Sequence, residues 1–310
     1  MRQHSVAFRR GFLSLLCLVT LAGLPGCADK EAGVAPPEYA YSPPGSRVRH
    51  LTLGIHPLHN PGRLVELYGP IVDALNAALG DISIRLEASR DYADYERKLR
   101  AGSLDLALPN PYQTVIVAAE SYRVFGKVMG DEDFHGLILL RRDSPVREVA
   151  DLRGKRFSCP SRTAVAGCML PLLHLHAAGL DVARELDVRA VGSQESSILN
   201  VARGLVDAGA TWPPPWRAFQ KDHPEMARGL VVAWTTSSLP NNSLMARRDL
   251  DHGVVDRVGQ QLFALSESET GRDLLSRAEI AGFEPADDTR YAPVHAMLDR
   301  YRAAIGPVRQ

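Results

Sequence analysis

The chain has 310 residues, 36 basic and 36 acidic, so its formal net charge is zero, and 45% of it is hydrophobic. That size and balance suit one large or two medium globular domains. With no basic excess and only 6% aromatic residues, it carries neither the electrostatic footprint nor the stacking platform of a nucleic-acid binder.

In chain order, the first segment reads as a leader. "MRQHSVAFRR" carries Arg2, Arg9 and Arg10 with no acid, and a short apolar run follows, "GFLSLLCLVTLAGLPG". This is the pattern of a secretory signal over residues 1–26, too short for a spanning helix. Its removal leaves 33 basic against 36 acidic groups, near −3. The run ends in "LPGC", which resembles the lipobox of bacterial lipoproteins; that resemblance implies that Cys27 is lipidated and becomes the new N-terminus. Residues 27–48 are rich in Pro, Gly and Ala without periodicity and read as a flexible tether. An anchored tether places the folded part in the periplasm, in contact with the membrane through the lipid alone. That compartment is oxidising, which bears on Cys159 and Cys168. Cys17 leaves with the leader.

The folded part opens with "RHLTLGIHP", a β-rich run ended by Pro57. In "LVELYGPIVDALNAALG", Leu64, Leu67, Tyr68, Ile71, Leu75, Ala78 and Leu79 recur at three and four, an amphipathic helix stopped by Gly80. "DISIRLEA" is a strand, "DYADYERKLRAG" a second helix and "LDLAL" the next strand. Asn110 then offers an N-cap with Pro111 at the first helical position. Strand and helix alternate as in βαβ units, which predicts mostly parallel sheets flanked by helices. The pattern repeats: Gly102, Asp105 and Pro111 have the mutual spacing of Gly204, Asp207 and Pro213, each set closing a similar β-α-β stretch. Two α/β lobes are expected rather than one long sheet.

Ligands of open parallel sheets bind beyond the carboxyl ends of the strands. Here those ends are His56-Pro57, Asn110-Pro111-Tyr112, Pro160 to Thr163, Ser193-Gln194-Glu195 and Thr211-Trp212. Two such edges facing each other make a cleft suited to a small molecule. Arg162 and Thr163 precede a helix start at Ala164, Val165 and Ala166, where unpaired N–H groups favour an anion, and an arginine fork would add donors. Trp212 and Trp216 flank a rigid proline run, with core packing or a cleft roof as their alternatives. Tyr95 shares a helix face with Leu99 and is expected to pack. His174 and His176 stand two apart on a helix and point to different faces, unlike a metal pair. Cys159 and Cys168 fit a disulfide tying the loop down, a thiol site at the helix start, or two buried thiols. No Gly-x-Ser-x-Gly elbow, His-Glu-x-x-His or Walker loop occurs, so neither enzyme chemistry, nor cofactor, nor metal is expected.

Five stretches in order carry a family resemblance: "LTLGIHPLHNPGRLVELYGPIVDALNAALG", "YERKLRAGSLDLALPNPY", "RRDSPVREVADLRGKRFSC", "AGCMLPLLHLHAAGLD" and "VARGLVDAGAT". Together they resemble the phosphonate- and phosphite-binding proteins of ABC importers, the PhnD-like group. The resemblance implies a type II periplasmic-binding-protein fold, two lobes hinged on two crossover strands that close on a small oxyanion. Lobe 1 would be residues 49–137 and 236–310, and lobe 2 residues 138–235. The implied partners are a small anionic ligand and the permease and ATPase of an importer. A sensory role beside a membrane kinase or cyclase, of the arsenite type using a cleft cysteine, is the alternative. In phosphonate-binding members the helix after the loop begins with a hydroxyl-rich run; the matching positions here are Ala164, Val165, Ala166 and Gly167. Each lost hydrogen bond to a charged ligand weakens binding by about 1.5–3 kcal/mol. A tyrosine usual before the second lobe corresponds to Phe134, followed by His135, and a common histidine corresponds to Gln194, beside Glu195. Tyr92 matches a ligand-contacting tyrosine, and Asp207 and Thr211 fall in the usual strand. The resemblance thus implies a retained scaffold around a rewritten pocket.

Overall fold

The computed structural model describes residues 48–118 and 120–308. The leader, Cys27 and the tether lie outside the described residues. The chain runs β1 (Arg49–Ile55), α1 (Pro61–Leu79), β2 (Ile82–Glu87), α2 (Tyr92–Arg100), β3 (Leu106–Leu108), α3 (Pro111–Val117) and β4 (Tyr122–Val128). After a first crossing come β5 (Leu137–Arg141), β6 (Lys155–Cys159), α4 (Leu170–Ala177), β7 (Leu186–Ala190), α5 (Gln194–Ala202), β8 (Ala208–Thr211), α6 (Pro213–Asp222), α7 (Pro224–Arg228) and β9 (Leu230–Thr235). After a second come β10 (Ser243–Arg247), α8 (His252–Ala264), α9 (Glu269–Arg277), β11 (Phe283–Pro285) and α10 (Ala292–Ala304). Local chemistry sets the boundaries. Asn60 accepts from the Arg63 N–H at 2.9 Å with Pro61 at the first helical position, and α1 ends at Gly80 with φ +63°.

The strands form two sheets, ordered β11-β4-β10-β3-β1-β2 and β7-β6-β8-β5-β9. Both are mixed, which corrects the expectation of mostly parallel sheets. The βα units pair in parallel, β1 with β2 and β3, and β6 with β7 and β8. The strand arriving from the other sheet is antiparallel to both neighbours: β10 between β3 and β4, β5 between β8 and β9. Strands of the βα units run toward the cleft, whereas an arriving strand runs away from it, so its direction is reversed.

The internal echo is physical. Asp105 accepts from the Thr52 N–H at 2.8 Å, and Asp207 from the Arg156 N–H at 2.9 Å, so each aspartate staples the neighbouring parallel strand. Gly102 and Gly204, at φ +64° and +68°, turn the chain before each, a conformation open to glycine. Each arriving strand also ends in Arg-Arg-Asp: Arg247 binds Asp249 at 2.6 Å and Arg141 binds Asp143 at 2.8 Å.

One apolar core lies behind the first sheet, where Leu64, Leu67, Ile71 and Leu75 of α1 meet Val255, Val258 and Leu262 of α8. Another is continuous between the two sheets: Tyr95, Leu99 and Tyr122 from one side, Phe157, Leu172 and Leu175 from the other, with Val294, Met297 and Leu298 of α10. Each such side chain contributes about 1.5–3 kcal/mol on burial. The crossings, 129–136 and 236–242, bind each other: Gly136 N–H donates to the Thr236 hydroxyl at 2.8 Å and Leu239 N–H to the Phe134 carbonyl at 3.1 Å. Among the described residues no helix is long and apolar enough to cross a membrane.

Candidate functional site

The carboxyl ends of the parallel strands from both sheets meet at one small cavity. Its lining is His56, Tyr92, Asn110 and Asn242 on the first sheet's side, Ala164 to Gly167, Gln194 and Trp212 on the second's, and Phe134 on the first crossing. It measures about 10 Å³, near the least that admits one water. The lobes are therefore closed, and contacts span them. Asn110 Nδ2 donates to the Thr163 carbonyl at 3.0 Å, and Tyr92 and Gln194 line the cavity from opposite sides.

Each wall is held from behind. Asn110 is the N-cap of α3 in a reciprocal capping box with Gln113, which fixes its side chain before any ligand arrives. Gln194 opens α5 and its Oε1 accepts from the Thr211 hydroxyl at 3.1 Å. At Gly167 a Cβ would stand 2.7 Å from Gln194 Nε2, so any larger residue there would displace that amide. Residues Val165–Met169 form a π-helical turn running directly into α4, and its first internal bond is Met169 N–H to the Ala164 carbonyl, 3.0 Å. The helix leaves the N–H groups of residues 165–168 unspent. Trp212 meets Phe134 edge-to-face at 5.3 Å, forming an apolar roof.

The cysteines sit behind the π-helical turn. Cys159, the last residue of β6, is joined to Cys168 in a disulfide, and both are fully buried. The bridge ties the turn to the strand that precedes it.

Electrostatically the cavity is neutral, for none of its lining residues is acidic or basic apart from His56. Burial holds His56 down to about pKa 4, so it is uncharged near neutral pH. Burial raises Tyr92, with the Glu96 carboxylate adding in the same direction, so the phenol stays protonated.

Of the expected site residues, Tyr92, Asn110, Phe134, Ala164, Val165, Ala166, Gln194 and Trp212 line this cavity. Thr163 borders it through its carbonyl, while its hydroxyl meets Ser161 Oγ at 3.1 Å. Four others stand elsewhere. Arg162 turns to the back of its lobe, donating to the Val188 carbonyl at 2.8 Å above a 420 Å³ hollow walled by Leu172, Leu186 and Tyr301; an unspent strand-edge carbonyl draws it there. Tyr112, buried at the start of α3, is not among the residues that line the cavity. His135 Nδ1 lies 2.7 Å from the Glu132 carbonyl, folded onto its own turn. Glu195 lies 3.5 Å from His223 outside the cavity, because consecutive residues at a helix start diverge. Trp216 stacks on Phe219 at 6.0 Å and serves packing. His56, Gly167 and Asn242 line the cavity without having been singled out. His56 was legible as a strand end; Asn242, on the return crossing, is preceded by no periodic signal.

With this geometry in place, a family model for periplasmic substrate-binding proteins of phosphonate ABC transporters matches residues 53–291. The chain is similar to the phosphonates-binding periplasmic protein of Escherichia coli K12, 20% identical over 255 residues, 80% of this chain and 75% of that one. It is also similar to a probable phosphite-binding ABC transporter protein of Prochlorococcus marinus, 23% identical over 130 residues, 39% of this chain and 44% of that one. In fold it resembles a binding component of a phosphonate ABC transporter from Pseudomonas aeruginosa, TM-score 0.75, 17% identity, 82% and 87% of the two chains. A second solved relative is PhnD1 from Prochlorococcus marinus in complex with methylphosphonate, TM-score 0.75, 19% identity, 81% and 98% covered.

Proposed function

Because the chain belongs to the periplasmic substrate-binding proteins of phosphonate ABC transporters, we propose that its cleft captures a small phosphonate- or phosphite-like oxyacid and hands it to an importer's permease. The observation that carries this reading is the meeting of the turn at residues 165–167, whose N–H groups are unspent, with Tyr92, Asn110 and Gln194 around one cavity. Backbone donors at a helix start stabilise an oxyanion without a cation, so the loss of side-chain hydroxyls at Ala164, Val165 and Ala166 leaves the essential donors standing. Trp212 and Phe134 suit an apolar substituent on phosphorus.

In this reading residues 49–137 with 236–310 move against 138–235 about the two crossings, and ligand stabilises the closed arrangement through contacts to both sides. Cys27 holds the protein to the membrane by its lipid; Cys27→Ala is expected to release it into the soluble periplasmic fraction.

The test is a thermal-shift and calorimetric panel of phosphite, methylphosphonate, aminoethylphosphonate, phosphate, sulfate and arsenite. A ligand at a hundred times its dissociation constant stabilises the fold by about 2.7 kcal/mol, which a melt resolves. A response to none of the phosphorus oxyacids, or unchanged uptake of every bound ligand after gene deletion, would sink the proposal.

A further inference from the structure

Two residues that line the cavity carry an acceptor with nothing to accept. The Leu108 carbonyl lies 3.0 Å from His56 Nδ1; a carbonyl only accepts, so that nitrogen carries the proton. In a neutral imidazole Nε2 is then a lone pair, and among the described residues it has no hydrogen-bond partner. Asn242, 3% exposed, lines the same cavity, and its Oδ1 is buried without a partner. A buried acceptor left without a donor is costly, and a ligand that donates to this wall would satisfy both. On the opposite wall the need is reversed: residues 165–167 line the cavity at a helix start whose N–H groups are unspent. No lysine or arginine lines the cavity to compensate a second negative charge.

We infer, building on the phosphonate-class reading, that the cleft selects the singly protonated form of its phosphorus oxyacid, the ligand's P–OH donating to His56 Nε2 and Asn242 Oδ1 while its ionised oxygens accept from the turn at residues 165–167. The fully ionised form would bring oxygen lone pairs against two lone pairs. The titratable and charged groups around His56 are His59 and Arg63 on the following turn and Tyr92 and Glu96 on α2. His56 and His59 are both neutral above about pH 4, so a change in affinity between slightly acid and slightly alkaline pH reports the ligand's proton.

The experiment is calorimetry with methylphosphonate at about pH 6 and about pH 8.5, bracketing a second ionisation near neutrality, as at about pH 6 for a phosphate monoester. Methanesulfonate, a permanent monoanion with no proton to give, is the control. The expected result is affinity that falls about tenfold per pH unit above the ligand's second ionisation, with sulfonate weak and insensitive to pH. His56→Leu and Asn242→Leu should each flatten this profile, and His56→Gln, which restores an acceptor, should recover part of it. Methylphosphonate binding that is constant or stronger at alkaline pH overturns the inference and leaves the phosphonate reading standing. A profile unchanged in both leucine variants overturns the role of these two residues. Binding of neither methylphosphonate nor any other phosphorus oxyacid of the panel at either pH ends both readings.

Discussion

Glu279 reaches across the cleft to Arg217, accepting from its Nε at 3.0 Å. Glu279 follows α9 on the first sheet's side and Arg217 lies on α6 of the second. Arg217 also binds Asp133 at 3.0 Å, and Lys221, one turn on, bonds to the same Glu279 carboxylate. Among the described residues Glu279 is the one non-glycine with positive φ, +57°, a conformation of order 1–3 kcal/mol above the usual ones and retained where surroundings over-determine it. Its side chain is 9% exposed. A second pair, Arg63 with Asp222 at 3.4 Å, spans the lobes from α1 to α6. These bonds join the chain after α9, and α1, to α6 across the two sheets, so an opening about the crossings would have to break them, as a latch does.

Glu279→Gln is therefore expected to shift the protein toward open forms and weaken methylphosphonate binding about tenfold, as loss of a partly buried charged hydrogen bond of about 1.5 kcal/mol implies. Small-angle scattering of the ligand-free protein should give a larger radius of gyration for the variant than for the wild type. Identical scattering curves would remove the latch from the account of closure.

Much of this was legible in the sequence, and the failures have a common cause. Asn110, Pro111, Gly80 and Gly102 announced element ends through local chemistry that needs no tertiary context. The spacing shared by Asp105 and Asp207 announced two similar lobes because each aspartate answers to a strand only about 50 residues away. What remained hidden was direction. That Arg162 turns back while Ala164 faces forward depends on the Val188 carbonyl of β7, 26 positions away. Strand order was hidden likewise, since β10 enters between β3 and β4 from the far end of the chain. Asn242 joined the site through that same return.

Arg162→Ala should leave methylphosphonate affinity within about twofold of wild type, because its guanidinium is spent on the Val188 carbonyl behind the turn. Tyr92→Phe should weaken it about tenfold, removing the hydroxyl of a buried residue that lines the cavity. Calorimetry on both variants separates the faces of the loop. A large loss in the arginine variant with none in Tyr92→Phe would invert the site.

Reducing or replacing the Cys159–Cys168 bridge should loosen the donor turn. Closing a nine-residue separation contributes about 2–3 kcal/mol in the chain-entropy view, so a Cys159→Ala, Cys168→Ala protein should melt about 5–10 °C lower. Methylphosphonate should still bind, more weakly, since the N–H donors belong to the backbone. Arsenite stabilising the reduced protein alone would favour a thiol site instead.

Acid should destabilise the fold through two buried histidines. His56 and His59 are held by burial at about pKa 4, against 6.5 when exposed; for His59, Arg63 and His56 add repulsion of the charged form. Because the folded values are lowered, the unfolded chain binds more protons between these limits. Stability from this source is complete above about pH 6.5, falls as pH drops toward 4, and levels off below. Each histidine contributes about 3 kcal/mol over that window at 1.36 kcal/mol per pKa unit. Urea unfolding at a series of pH values should show the fall, and the His59→Gln protein should lose roughly half of it while keeping the acceptor at His56. A stability curve flat from pH 6.5 to 4 would mean that both rings gain solvent or a partner when charged.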